Sequence, residues 1–157
     1  MASPTISPSS PIATTAPTAT NMIVSTKGRY ALRVMLYFAL HGGEDFIPLK
    51  EIAETEGISQ KYLESIMTTL SKAGMVDAVH GKGGGYRLNR KPEDYTVGSI
   101  LKLTEGGLAT VSCTTQGPAA CSRSTCCHTR PMWDRLDRLV DDFFEGITLK
   151  DLMEDAK

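Results

Sequence analysis

The chain has 157 residues, 41% of them hydrophobic, and a formal net charge of −1 at pH 7. This length allows one ordinary hydrophobic core. The longest apolar runs, such as 34–40, fall far short of the ~20 residues of a membrane-spanning helix, so we expect no membrane partner. Residues 1–21 carry no charged side chain and are rich in Pro, Ser, Thr and Ala. They lack the basic start and apolar run of a secretory signal, and we expect a disordered tail and a cytoplasmic protein.

The next fifty residues show the order of a helix-turn-helix. A first helix begins near Ser25, which can cap it, and its apolar residues recur at spacings of three and four as far as Gly42. A short second helix covers 49–55, and Ser59 caps a longer third helix that ends near Ala73. An ordinary helical hairpin has the same pattern, so this segment alone does not decide between the two.

Two short strands around a glycine-rich turn follow the third helix directly. They are predicted over 75–79 and 86–88, with four glycines and Lys82 between them. Glycines let the tip of a hairpin approach another surface closely, and a hairpin in this place is typical of a wing. From 61 to 91 there are six Lys and Arg against two acids, a local charge of six minus two, or +4, which suits a phosphate backbone. A nucleotide-binding loop would need a Gly-Lys-Ser/Thr ending, which is missing.

All four cysteines lie between Cys113 and Cys127, in a stretch of small and polar residues with His128 beside it. Thiols and an imidazole are soft metal ligands. In a reducing cytosol, clustered thiols indicate metal or redox chemistry rather than a structural disulfide.

A long amphipathic helix is predicted from Pro131 to Glu145, after a shorter one over 97–105 that Thr96 can cap. Its apolar stripe is wider than a small domain usually needs. It is either a core helix or a self-associating helix, and dimers are common among DNA-binding proteins because they read paired half-sites. The candidate dimerisation residues are Trp133, Leu136, Leu139, Val140 and Phe143.

From Met22 to about Met153 the sequence resembles the bacterial winged-helix iron–sulfur transcriptional regulators typified by IscR. The resemblance implies a homodimer that binds double-stranded DNA, is not an enzyme, and responds to iron–sulfur, iron or redox status through a cluster expected to be of the 2Fe–2S type. Iron–sulfur assembly proteins are possible partners. The matching residues are Ser25 to Ala31, Ile58-Ser59 with Tyr62-Leu63-Glu64, Gly81 with 83–86, and Trp133.

The resemblance also implies roles for single residues in the cysteine loop. Cys113, Cys121 and Cys127 match the three cysteine ligands, although the seven residues between the first two make a longer gap than in the family. Arg130 stands where the family's histidine ligand would be. His128 and Cys126 are both candidates for the fourth ligand.

In the DNA-reading part, Glu64 matches a base-contacting residue of the family, and Lys61 and Ser65 occupy neighbouring positions with changed identities. His80 stands where the family's wing has an arginine that enters the minor groove. The full set of candidate DNA-binding residues is Ser59, Lys61, Glu64, Ser65, His80, Lys82 and Arg87.

The predicted fold class is mainly α with a small β-hairpin wing, a winged helix-turn-helix followed by a long C-terminal dimerisation helix. Its predicted parts are the tail (1–21), a DNA-binding domain (22–105), a cluster-binding loop (106–129), and the dimerisation helix with a C-terminal turn (130–157). Two alternatives keep the DNA-binding function: a structural zinc site and a cluster-free thiol switch. A small iron–sulfur electron carrier is a more remote alternative, because a wing and a dimerisation helix would have no use in it.

Overall fold

The computed structural model describes residues 24–115, 121, 123 and 125–155; the predicted disordered tail, 1–21, lies outside them. The described part is mostly helical with one β-hairpin, and a short 3₁₀ helix covers Pro92–Asp94. None of these helices is long and apolar enough to cross a membrane. In chain order the elements are α1 (Thr26–His41), α2 (Leu49–Glu56), α3 (Gln60–Lys72), β1 (Val76–Val79), β2 (Gly85–Leu88), α4 (Val97–Glu105), α5 (Ser112–Thr115), α6 (Arg130–Glu145) and α7 (Leu149–Asp155).

Local caps set the ends of the helix-turn-helix. The Ser25 hydroxyl accepts a hydrogen bond from the Gly28 N–H at 3.2 Å, and the Ser59 hydroxyl accepts one from the Tyr62 N–H at 3.4 Å. Between α2 and α3, Gly57 has a φ of +64°, a left-handed conformation that favours glycine. The helices therefore begin and end close to their predicted boundaries.

The wing consists of β1 and β2, which pair antiparallel over their whole length. Ile47, just before α2, adds an edge to the hairpin through two backbone hydrogen bonds of 2.9 Å with Tyr86. A side chain at Gly85 would collide with the Ile47 carbonyl group, so this glycine permits the close approach. The sequence did not predict the pairing of Ile47, because one isolated residue has no strand periodicity.

The main core lies where α1 and α3 face each other under the wing. Their buried side chains follow the helical spacing of three and four that the sequence shows, so the apolar periodicity indicated the core correctly. The fully or almost fully buried members on these two helices are Ala31, Val34, Met35, Phe38, Leu63, Ile66, Met67 and Leu70.

The last helix, α7, packs on this winged-helix core. Leu149 is fully buried in it, and the Leu149 N–H donates to the Tyr95 carbonyl at 3.0 Å. The helix is capped reciprocally, because the Thr148 hydroxyl donates to the Asp151 carboxylate and accepts from the Asp151 N–H. The prediction had grouped this segment with the dimerisation helix. Helix α7 lies next to the core because its residues Leu149 and Leu152 pack against apolar side chains there.

Removing the Tyr95 hydroxyl should destabilise the fold. This buried hydroxyl lies 2.8 Å from both the Met75 carbonyl and the Asn89 side-chain oxygen, and accepts from the Asn89 and Arg90 N–H groups at 3.1 Å. Tyr95→Phe leaves these groups without their partner, so the free energy of unfolding should fall by about 1–3 kcal/mol. Urea denaturation should show a lower midpoint with an unchanged slope. Tyr30→Phe, at a half-buried tyrosine of α1, is the control, and equal midpoints for both variants would contradict the prediction.

Candidate nucleic-acid interface and cysteine loop

Helix α3 has a polar face turned to solvent. The predicted reader residues Ser59, Lys61, Glu64 and Ser65 are all exposed, while the residues on the opposite face are fully buried. The Glu64 carboxylate accepts a hydrogen bond from the Gln60 amide at 3.3 Å. The structure therefore brings these side chains together on one surface.

The wing tip carries two more of the predicted contacts. His80 and Lys82 are exposed, and the turn between them depends on Gly81 and Gly83, whose φ values are +100° and +80°. Side chains other than glycine rarely adopt these conformations, so the turn is set by the glycine run that the sequence displays.

Arg87, another predicted contact, is half-buried and has partners within the fold. Its guanidinium donates to the Glu44 carbonyl at 2.9 Å, lies 3.4 Å from the Asp77 carboxylate, and stacks over the Phe46 ring at 4.5 Å. Arg90 is similarly engaged, with the Gly74 carbonyl. The local charge of +4 thus overstates the positive charge that is available to a ligand. A count of charged residues does not show which of them are already paired within the fold. Among the predicted contacts, Lys61 and Lys82 are the cations on the exposed surface.

Helix α6 carries an exposed apolar stripe at spacings of four, three and four, which we call the α6 stripe. It includes three of the predicted dimerisation residues and adds one that was not among them, although the same apolar pattern contained it. Trp133 and Val140 are half-buried, and Val140 packs towards α4. The α6 stripe consists of Met132 (52% exposed), Leu136 (38%), Leu139 (67%) and Phe143 (63%).

A polar joint attaches α6 to α4. The Lys102 ammonium lies 2.5 Å from the Asp141 carboxylate and 2.8 Å from that of Glu145, which also accepts from the Thr96 hydroxyl at 2.6 Å. The hydrogen bonds with Asp141 and Glu145 raise the pKa of Lys102, and those from Lys102 and Thr96 lower the pKa of Glu145. A side chain at Gly98 would press against Glu145. Because this joint uses a different face of α6, the α6 stripe stays free on the outside.

The four cysteines differ in their surroundings. Cys113 lies on α5, a single helical turn within the segment that was predicted to be a loop. The Cys127 sulfur is 3.3 Å from the Thr129 hydroxyl, and this hydrogen bond lowers the pKa of the thiol. Cys126 is exposed and its thiol donates to the Arg123 carbonyl at 3.6 Å.

The charge of Arg130, the first residue of α6, acts on all three matched cysteines. Arg130 interacts electrostatically with Cys113, Cys121 and Cys127, and its guanidinium pairs with Asp134 at 2.9 Å. His128 is exposed two residues before it. A cation in this place balances the negative charge of thiolates.

Thiolates are the ligands that hold iron–sulfur clusters, so the donors in this loop have suitable chemistry. Within the ranges 24–115, 121, 123 and 125–155, however, no three Cys, His, Asp or Glu side chains are arranged to hold a metal ion.

The comparisons with known proteins agree with this architecture. A family model described as "Rrf2: Iron-dependent Transcriptional regulator" matches residues 24–155. The HTH-type transcriptional regulator IscR of Aliivibrio salmonicida is 40% identical over 134 residues, which are 85% of this chain and 79% of that protein.

Two solved structures carry the same fold. T. potens IscR has a TM-score of 0.66 at 36% identity, covering 85% of this chain and 88% of that one. CymR, the global cysteine regulator of B. subtilis, has a TM-score of 0.67 at 35% identity, with 82% and 94% covered. These neighbours confirm the predicted winged-helix fold and the predicted resemblance, and the relatives are named as transcriptional regulators rather than enzymes. The chain therefore belongs to the Rrf2 family and is a DNA-binding transcriptional regulator.

Proposed function

We propose that the protein is a homodimer that reads paired DNA half-sites and whose DNA affinity is set by an iron–sulfur cluster in the cysteine loop. The observation that carries the DNA-reading part is the exposure of both the polar face of α3 and the wing tip that follows it in the chain. A helix of this kind fits the major groove, and a dimer presents two of them to a two-fold symmetric site.

Two kinds of contact are expected from that surface. Lys61 and Lys82 would neutralise phosphates, which supplies affinity for any sequence. The Glu64 carboxylate is an acceptor on the exposed face of α3, so it would accept a hydrogen bond from the amino group of a cytosine in the major groove. His80 at the wing tip would lie near the minor groove.

Dimerisation through α6 is supported by the α6 stripe. Four large apolar side chains on one exposed helical face are costly to leave in water, and their spacing is that of a helix packing against a second helix. Two-fold symmetry would bring the same stripe of the partner onto it.

Cys113, Cys121 and Cys127 would hold the cluster, expected to be of the 2Fe–2S type. The support is the family resemblance, which implies that these cysteines are the three cysteine ligands, and the electrostatic interaction of each of them with Arg130. For the fourth ligand we favour His128 over Cys126. The Cys126 thiol is directed to the Arg123 carbonyl. Two adjacent residues seldom point the same way from an extended backbone, so His128, which like Cys126 is adjacent to Cys127, would need a turn to reach the same metal.

A spectrum of anaerobically purified protein tests this proposal. A brown protein with sulfur-to-iron charge-transfer bands, and with iron and sulfide in the dimer, would support it. A colourless protein that contains zinc would indicate a structural zinc site instead of an iron–sulfur cluster. A metal-free protein whose DNA affinity follows thiol oxidation would indicate a cysteine switch.

The two kinds of DNA contact can be separated by substitution. Lys82→Ala should weaken binding to all duplexes alike. It should also reduce the slope of the logarithm of the DNA-binding constant against the logarithm of the salt concentration by about the amount expected for one phosphate contact. Lys150→Ala, at an exposed lysine of α7, is the matched control and should leave the salt dependence unchanged. Fluorescence anisotropy at several salt concentrations measures both.

Glu64→Ala should instead change sequence preference, since it removes an acceptor for one base and no phosphate contact. We expect discrimination at one base pair in each half-site to fall by about 1–3 kcal/mol. Binding to a library of randomised half-sites measures this. Equal losses on specific and random duplexes for Lys82→Ala and Glu64→Ala would refute the division of roles.

A further inference from the structure

We propose that Asp137 is a positioning residue, which holds the turn containing Cys113 against α6 and thereby sets the placement of that thiol. The inference rests on the proposed function for its consequence, because Cys113 is a ligand only if the loop binds a cluster. The contact itself is independent of any metal.

The carboxylate of Asp137 makes two short hydrogen bonds with one residue. Its Oδ1 atom accepts from the Thr110 N–H at 2.7 Å and from the Thr110 hydroxyl at 2.6 Å. The Thr114 hydroxyl is also close enough to this carboxylate to lower its pKa. Asp137 therefore hydrogen-bonds to the chain three residues before Cys113 and lies close to Thr114, one residue after it. Helix α5 itself packs against α6.

The turn depends on such a contact. Helix α5 has four residues, and a single helical turn is not stable by itself because nucleation of a helix is unfavourable. The Thr114 hydroxyl additionally donates to the Val111 carbonyl at 2.8 Å, which supports the turn from within. Asp137 connects it to a long helix that is already anchored on α4.

The charges around Asp137 favour its ionised form. Burial alone would raise the pKa of Asp137, but the hydrogen bonds from Thr110, the nearby Thr114 hydroxyl and the charge of Arg130 hold it below its usual value. Arg130 also interacts electrostatically with Cys113 and Cys121. The N-terminal half of α6 thus provides both the anion that holds the turn and a cation whose charge acts on the nearby thiols.

Two consequences follow. Without Asp137 the thiol of Cys113 should become more accessible, and a cluster bound through it should be lost more easily. Groups that orient metal ligands through hydrogen bonds typically change metal affinity or activity by about 10–100-fold when they are removed. Asp137 is moreover on the proposed dimerisation helix, so it links the ligand turn to the element that sets the spacing of the two DNA-reading surfaces.

The test uses Asp137→Ala, Asp137→Asn and the control Asp142→Ala, which removes an exposed carboxylate from the same helix. In metal-free, reduced protein, alkylation of each cysteine is followed by mass spectrometry. Asp137→Ala should speed the alkylation of Cys113 several-fold and leave the exposed Cys126 unchanged. Asp137→Asn keeps an oxygen acceptor for Thr110 and should lie between Asp137→Ala and the parent protein.

In the cluster-loaded protein, Asp137→Ala should release iron to a chelator about 10–100-fold faster than the Asp142→Ala control. If the parent protein holds no cluster, the proposed function fails while the alkylation rates still test the positioning role. The inference is overturned if Cys113 reacts at the parent rate in both Asp137 variants. It is also overturned if Cys126 accelerates by the same factor as Cys113, since that would indicate general unfolding of the loop.

Discussion

Leu139→Asp should convert the proposed dimer into monomers at micromolar concentration. Leu139 is the most exposed residue of the α6 stripe, with 67% of its surface accessible in the single chain. In a two-fold symmetric dimer the substitution puts two carboxylates into one apolar seam. Burial of an unpaired charge costs several kcal/mol, and each 1.4 kcal/mol raises the dissociation constant about tenfold. The dissociation constant should therefore rise by about a thousandfold or more.

Sedimentation velocity and light scattering measure the change, and circular dichroism checks that the fold is intact. The fold should survive, because Leu139 belongs to neither of the two core clusters. Arg135→Asp introduces the same side chain at an exposed position of α6 outside the α6 stripe and should leave the dimer intact. A folded Leu139→Asp protein that stayed dimeric would show that the interface lies elsewhere.

The second large effect is expected from the cysteines. Cys113→Ser, Cys121→Ser and Cys127→Ser should each bring the iron and sulfide content of anaerobically purified protein close to zero, because thiolates are the ligands that iron–sulfur clusters require. Cys126→Ser is the matched control, with the same chemical change next to one of the proposed ligands. It should retain the visible absorption bands.

His128→Ala tests which residue is the fourth ligand of the cluster. If its imidazole is a ligand, the variant should load less cluster or show shifted bands. The opposite pattern, with Cys126→Ser shifted and His128→Ala unchanged, would give the role to Cys126. If neither variant changes the spectrum, the ligand lies outside the loop. Full cluster content in Cys113→Ser would refute the proposed ligand set itself.

The helices and the wing were predictable because their signals are local. Ser25, Ser59 and Thr96 cap helices by hydrogen bonds to backbone N–H groups three residues away, and such contacts are visible in the sequence as spacing. The glycines of the wing turn act through their own backbone angles. The buried faces of α1 and α3 follow from helical periodicity, which needs no knowledge of the neighbour that covers them.

Arg87 shows where such reasoning stops. Its charge was counted towards the DNA surface, yet its partners, Glu44, Phe46 and Asp77, are brought to it by the pairing of the wing and the loop before α2. The same holds for α7, whose Leu149 reaches the core only because α6 ends beside α4. No spacing in the sequence encodes these long-range approaches.

The sequence by itself determined the helix-turn-helix, the wing, the clustering of the cysteines and the presence of an amphipathic last long helix. Each depends on residues close together in the chain, whose preferences act before tertiary contacts form. Only the tertiary structure decided how α6 divides its surface. The spacing of Asp137, Asp141 and Glu145 put them on one face, but their partners Thr110, Lys102 and Thr96 lie more than twenty residues away. Those polar contacts turn one face of α6 towards α4 and leave the α6 stripe exposed, because a helix that is held on one side must present its remaining apolar residues to solvent or to a partner.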